Sequence, residues 1–234
     1  MAGNLFLIPN TLGDSDIQKV IPPEVINIMA KITIFIVENI RNSRRHLIKC
    51  GYPGSIDDIQ FFELNKHTDK SDISNYLQAC IDGKDIGLIS DAGVPGVADP
   101  GAEITSLAHE KSIRVIPLIG PSSILLSLMA SGLNGQNFVF HGYLPVKPDD
   151  RVRRLKEIES YVFRLNQTQL FIETPYRNDS MFESLKKTCK PETRLCIACD
   201  ISLEKEFIKT LKISDWKKER VTLHKRPCIF LIGS

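Results

Sequence analysis

Ser90-Asp91-Ala92-Gly93-Val94-Pro95-Gly96-Val97-Ala98-Asp99-Pro100-Gly101 is the segment of this chain best suited to holding a ligand. Its glycines and prolines make a rigid, exposed turn with few side chains to obstruct the main chain. It follows an apolar run and precedes a helical pattern. That places it at the carboxyl end of a strand, where open α/β sheets bind their ligands. The competing reading is a tight connection that is merely rich in Gly and Pro. Ile119-Gly120-Pro121-Ser122-Ser123 is a second segment of this kind, and its hydroxyls either cap the following helix or donate to a ligand. The third, Leu7-Ile8-Pro9-Asn10-Thr11-Leu12-Gly13-Asp14, carries neither GxGxxG nor GxxxxGK[ST], which argues against nucleotide triphosphate hydrolysis.

Elements of alternating type must position these loops. Apolar runs at Asn4–Ile8, Thr33–Glu38, Gln60–Leu64, Asp85–Ser90, Ile113–Leu118, Phe138–Gly142, Gln169–Thr174, Arg194–Cys199 and Pro227–Gly233 read as strands, several of them apolar enough to be covered on both faces. Helical patterns fall between them. One opens at Pro22-Pro23 and runs through Ala30; another runs through Lys49 with Asn42 as its cap; a third has Ser71 capping Asp72–Ile81. Others cover Gly101–Lys111, Ser122–Ser131, Pro148–Leu165 and Asn178–Thr188. The alternation predicts an α/β protein with mainly parallel pairing. Gly120-Pro121 marks a boundary, giving α/β domains over residues 1–119 and 120–234.

Composition sets the outer limits. The 234 residues are 42% hydrophobic and 25% charged, enough for a full core. Thirty Lys and Arg against 28 Asp and Glu exclude a bulk polybasic nucleic-acid binder, though not local basic patches. No apolar stretch reaches the roughly 18 residues of a membrane span, and MAGNLFLIPN has no signal-peptide pattern. Six scattered cysteines form no disulfide framework, so reduced thiols and a cytoplasmic setting are expected. Cys196 and Cys199, three apart on a strand, face opposite ways and do not make a metal pair. The histidines lack ligand spacing, no metal is expected, and Trp216 reads as a packing anchor.

Five motifs, in order along nearly the whole chain, resemble the tetrapyrrole-methylase family. They are Leu5-Phe6-Leu7-Ile8-Pro9 with Gly13, the Leu88–Gly101 block, Gly120-Pro121-Ser122-Ser123, Phe138-Val139-Phe140-His141-Gly142-Tyr143-Leu144-Pro145, and Glu173-Thr174-Pro175-Tyr176-Arg177. The resemblance is strongest to the branch that methylates a ribose 2′-hydroxyl of 16S rRNA with S-adenosylmethionine. It implies two α/β domains with the cofactor folded in a cleft between them, and a homodimer. It places Pro9, Ser90, Asp91, Ala92, Gly93 and Val97 around the methionine part. Ser122 and Ser123 would contact the cofactor from the second domain, with Tyr143, Leu144, Ala198 and Pro227 on the adenine side. The first domain would serve the acceptor and the second the cofactor. Where the branch carries Ala-Glu-Asp-Thr-Arg, this chain has Val37-Glu38-Asn39-Ile40-Arg41, which keeps the glutamate and arginine alone.

A hydroxyl acceptor needs something to take its proton. Glu38 and Glu173, at predicted strand ends, are the candidates, with Arg41 beside the first. The alternative for each is a structural ion pair, to Arg41 or to Arg177. Arg41, Arg44 and Arg45 form one basic cluster with Lys49, and Arg151, Arg153, Arg154 and Lys156 form another; each either contacts RNA phosphate or is a solvated helix face. His141 either lines the cofactor site or is structural. Three other functions remain open: methylation of a corrinoid or protein acceptor, a silent cofactor-binding module, and an RNA scaffold.

Overall fold

Strands whose successive residues are all apolar send alternate side chains into two separate cores. The computed structural model, which describes residues 2–65, 68 and 73–234, shows this most fully in β2 (Ile34–Val37) and β4 (Ile86–Ile89), which lie with β1 (Asn4–Ile8), β3 (Gln60–Glu63) and β5 (Arg114–Pro117). They form one sheet in the order β3-β2-β4-β1-β5. Every pairing in it is parallel. Ile34, Ile36 and Leu88 face one core with Ile104 and Ala108. Phe35, Val37 and Ile89 face the other with Val25, Met29 and Leu47.

The helices of this half follow from its connections. α1 (Ile17–Val20) and α2 (Pro23–Met29) link β1 to β2, and α3 (Ile40–Lys49) follows β2. α4 (Gln78–Ile81) precedes β4, and α5 (Gly101–Glu110) joins β4 to β5. The Ser71 cap expected before this stretch lies outside the described residues. α3 corrects one expectation: its cap is Asn39, whose side chain accepts a hydrogen bond from the Asn42 amide. Asn and Asp are equivalent at this position, so the departure from the branch's acid preserves the cap. Asn39→Ala should cost about 1 kcal/mol and Asn39→Asp a few tenths at most, read as shifts in urea midpoint.

The second half is a mixed sheet. β6 (Phe138–Tyr143), β7 (Thr168–Ile172), β8 (Arg194–Cys199), β9 (Phe207–Lys212) and β10 (Cys228–Gly233) lie in the order β6-β7-β10-β8-β9. Only β6–β7 is parallel; β7–β10, β10–β8 and β8–β9 are antiparallel. The expectation of mainly parallel pairing fails here because the central β10 runs against both of its neighbours and β8 turns back into β9 as a hairpin. Its turn holds Asp200 and Ser202 at φ 49° and 68°, the left-handed region. α6 (Ser123–Ser131) precedes β6, and α7 (Pro148–Leu165) follows it, opening on Pro148 and ending on Asn166 in the left-handed conformation. α8 (Asn178–Thr188) and α9 (Ile213–Trp216) complete this half. Trp216 is fully buried, edge-on to Phe182, and its indole donates to the Leu195 carbonyl at 2.8 Å.

Cys199 and Cys228 sit opposite one another across β8 and β10 and are joined as a disulfide, which corrects the expectation of reduced thiols throughout. Cys50, Cys80, Cys189 and Cys196 are free and buried. The chain folds as two units, Met1–Ser122 and Ser123–Ser234. No described helix is long and apolar enough to cross a membrane.

Candidate active site

Register brings the first group of candidates together. Val37 and Ile8 each pair with Ile89, so Glu38, Pro9 and Ser90 follow one row at the carboxyl ends of β2, β1 and β4. β1 and β4 are neighbours whose connections leave in opposite directions, one toward β2 and the other toward β5. This is the switch point at which open α/β sheets hold ligands.

Asn10 ties the two loops together. Its amide nitrogen donates to the Ser90 and Asp91 carbonyls at 3.1 and 3.2 Å, and its backbone N–H to the Gly93 carbonyl at 2.8 Å. The Ser90 hydroxyl donates to the carbonyls of Ala92 and Gly93. It is therefore spent on loop shape. Asp99 Oδ1 accepts the amides of Gly96 and Gly101, both at 2.8 Å, and so pins the loop to the start of α5. Gly120 lies so close to Pro9 that an added Cβ would overlap that ring. Gly93 sits at φ 71°. Asp91 and Ala92 remain exposed, and Val97 is half-exposed.

Beside this loop is a cavity of about 440 Å³, lined in part by Thr11, Asn42, Arg45, Lys49, Asp91 and Ala92. His46 lies in its wall, held by a hydrogen bond to the Pro9 carbonyl. Burial pushes its pKa down to about 4, so it is neutral at pH 7. Asn10 and His46 were not foreseen as site residues. A polar residue directly after the strand-end Pro9 was the signal for the first; nothing in the sequence marked the second.

The two candidate carboxylates have different surroundings. Glu38 is half-buried, and its Oε1 accepts the Asp91 amide at 2.8 Å. Among the described residues it forms no ion pair with Arg41, which is exposed on the first turn of α3. Burial raises the Glu38 pKa, and the Asp99 and Asp91 charges raise it further against the Asp91 hydrogen bond. Glu173 is sealed from solvent. Its Oε1 accepts from the Thr174 amide at 2.6 Å and from Arg177 Nε and Nη2 at 3.0 and 2.6 Å. This is the structural ion pair named as its alternative.

In the second unit, Tyr143 pairs with Ile172, Ile172 with Ile229, and Ile229 with Ala198. Tyr143 and Ala198 thus share one row across the sheet, with Leu144 just past it. Pro227 adjoins that row, its carbonyl accepting the Asp200 amide at 3.0 Å. Tyr143 and Pro227 are exposed, whereas Leu144 and Ala198 are buried. Ser122 ends the first unit, and Ser123 is the first residue of α6. His141 is structural in its contacts. Arg154 donates to Nδ1 at 3.0 Å, which leaves the Nε2 proton for Gln169 Oε1 at 2.7 Å.

The basic candidates also divide. Arg41 and Arg45 are exposed without an ion pair among the described residues. Arg44 is paired with Asp57 and lies over Phe61. Arg153 and Arg154 are paired with Asp150 and Glu157. Arg151 is 6% exposed, and its guanidinium donates to the Ser180 hydroxyl at 3.3 Å.

These loops and sheets define an α/β protein of the tetrapyrrole-methylase fold. The structure resembles that of the methyltransferase CobJ with a TM-score of 0.66, covering 100% of this chain and 95% of that one at 16% identity. No family profile matches the sequence. By sequence the chain is a homologue of proteins named ribosomal RNA small subunit methyltransferase I. The one from Pseudomonas aeruginosa is 26% identical over 235 residues, 99% of this chain and 79% of that protein. The one from Vibrio cholerae is 25% identical over 212 residues, 90% and 69% of the two. The homologous methyltransferases use S-adenosyl-L-methionine as methyl donor.

Proposed function

We propose that this protein transfers a methyl group from S-adenosyl-L-methionine to a ribose 2′-hydroxyl of 16S rRNA, as a cytoplasmic homodimer. The observation that carries the reading is the near-full-length likeness to ribosomal RNA small subunit methyltransferase I proteins. The residues of the β4–α5 loop fit the cofactor. Asp91 and Ala92 offer exposed main chain, Val97 an apolar contact, and a Cβ on Gly96 would meet nothing within 4 Å. Pro9, Gly93 and the loop-shaping Ser90 complete this side, and Ser122, Ser123, Tyr143, Leu144, Ala198 and Pro227 are assigned to the cofactor from their own segments. Bound there, S-adenosyl-L-methionine supplies an electrophilic methyl on a sulfonium.

The chain's own part is to orient the acceptor and take its proton. Glu38 is the base: Oε1 is fixed by the Asp91 amide, while Oε2 has no hydrogen bond among the described residues. Arg41 and Arg45 hold RNA phosphate nearby, and the paired Arg44, Arg153 and Arg154 contribute only by exchanging partners. Glu173 is a positioning residue for the β7–α8 turn.

The test is calorimetric titration with S-adenosyl-L-methionine, followed by labelled-methyl transfer to total RNA and to small subunits. Cofactor binding with label in a 16S ribose supports the reading. Label in a corrinoid or protein instead, or cofactor binding without any transfer, removes the RNA assignment.

A further inference from the structure

A second cavity, of about 520 Å³, lies far along the chain from the strand-end loops, against the carboxyl-terminal half of α7. Lys156, Ser160, Phe163 and Arg164 line it from the helix, at the i, i+4, i+7 and i+8 positions of one face. Lys190 closes it from beyond the end of α8, its Nζ 4.6 Å from the centre of the Phe163 ring. Phe163 stands outside the buried stripe of α7 formed by Leu155, Ile158 and Val162, and is 41% exposed.

None of Lys156, Arg164 and Lys190 has an acidic partner among the described residues, unlike Lys186, Arg153 and Arg154 close by. The one carboxylate in the wall, Glu159, is buried, and its Oε1 is taken by the Lys190 amide at 2.7 Å and the Thr193 hydroxyl at 2.6 Å. Three cations face one internally satisfied acid. Lys156 and Arg164 are eight residues apart on the helix, roughly 12 Å, the reach of a short run of single-stranded nucleotides. Cations without acidic partners around an exposed ring form the arrangement that binds single strands, with phosphates held by charge and a base stacked on the aromatic.

We infer that this face of α7 is a second RNA-binding site, which holds a single-stranded segment through Lys156, Arg164 and Lys190 and stacks a base on Phe163. The inference rests on the RNA substrate proposed above. Lys156 belongs to the second basic cluster of the sequence; Phe163, Arg164 and Lys190 are added to it by the structure.

The experiment titrates the full chain with a fluorescent single-stranded RNA oligonucleotide across a range of salt. The K156A/R164A/K190A variant should lower the slope of log affinity against log salt by about two, since each cation on a single strand contributes roughly 0.7. Phe163→Ala should weaken binding roughly tenfold and leave the slope unchanged. All four residues are exposed, and unchanged cofactor affinity and melting temperature verify folding. Wild-type binding with an unaltered slope in the triple variant overturns this site and leaves the RNA reading standing. No RNA binding by a wild type that still binds cofactor removes both. Poly-aspartate that binds as tightly as RNA, and loses affinity in the same variants, marks a site for acidic protein and overturns the inference.

Discussion

Glu38→Gln should reduce methyl transfer by roughly two to four orders of magnitude while leaving the affinity for S-adenosyl-L-methionine unchanged. The glutamine keeps an oxygen able to accept the Asp91 amide, so the loop retains the contact made at 2.8 Å. It loses only the capacity to take a proton. Single-turnover transfer and calorimetry separate the two effects, and a Gln variant with wild-type turnover would eliminate Glu38 as the base. The pH profile supplies a second readout. Burial, with help from Asp99 and Asp91, lifts the Glu38 pKa above 4.5. The acid limb of turnover should therefore lie above that value and belong to this group. The sign for stability is opposite to that of a paired carboxylate. A raised native pKa means that the native state holds the proton longer, so stability falls as pH rises through the window between the unfolded and native values. Glu38→Gln escapes that fall and should melt no lower than wild type at neutral pH.

Arg177→Ala should be the more damaging change to the fold. Removing the guanidinium leaves the Glu173 carboxylate, whose side chain has no exposed surface, with only the Thr174 amide as a donor. Deleting one partner of a buried pair costs about 3–5 kcal/mol. Arg177 is itself 36% exposed, which favours the lower end, or a fall of roughly 6–12 °C in melting temperature for a chain of this size. The double change Arg177→Ala with Glu173→Gln should recover much of the loss, because no orphan charge then remains. A catalytic Glu173 predicts otherwise: Glu173→Gln alone would abolish turnover with the melting temperature unmoved. The two outcomes separate on a melting curve and one rate.

The strand-end loops were legible because their composition is local. Gly, Pro and Asp at fixed positions after an apolar run state both the turn and its place on a sheet. The first sheet was legible for the same reason: residues such as Ile34, Phe35, Ile36 and Val37 are apolar on both faces, the signature of a covered parallel strand. The second sheet was less so. β9, Phe-Ile-Lys-Thr-Leu-Lys, mixes apolar and basic residues, and the turn before it depends on left-handed Asp200 and Ser202 rather than glycine. Pairing direction, which set Cys199 opposite Cys228, is a long-range property that no window of sequence contains. The same limit governed the charged residues. Glu38 and Glu173 occupy similar strand-end positions, and only their partners, the Asp91 amide for one and Arg177 for the other, tell them apart. Arg151 and Arg153 are two residues apart, yet the turn of α7 buries the first and exposes the second.

The strand order of the first unit has a consequence for how the protein is made. β1 leaves the ribosome before the other strands of its sheet, yet Leu5 finds its neighbours only in Ile86 and Val115. β2 and β3 can pair with each other early, but β4 must enter between β2 and β1, and β5 must close the far edge, before either core is sealed. The amino-terminal strand therefore waits, apolar and unpaired, while most of its unit is synthesised. Such non-local pairing makes folding slow and leaves strand edges open to aggregation. A nascent chain halted before residue 118 should be protease-sensitive throughout, and resistance should arise abruptly once β5 has emerged.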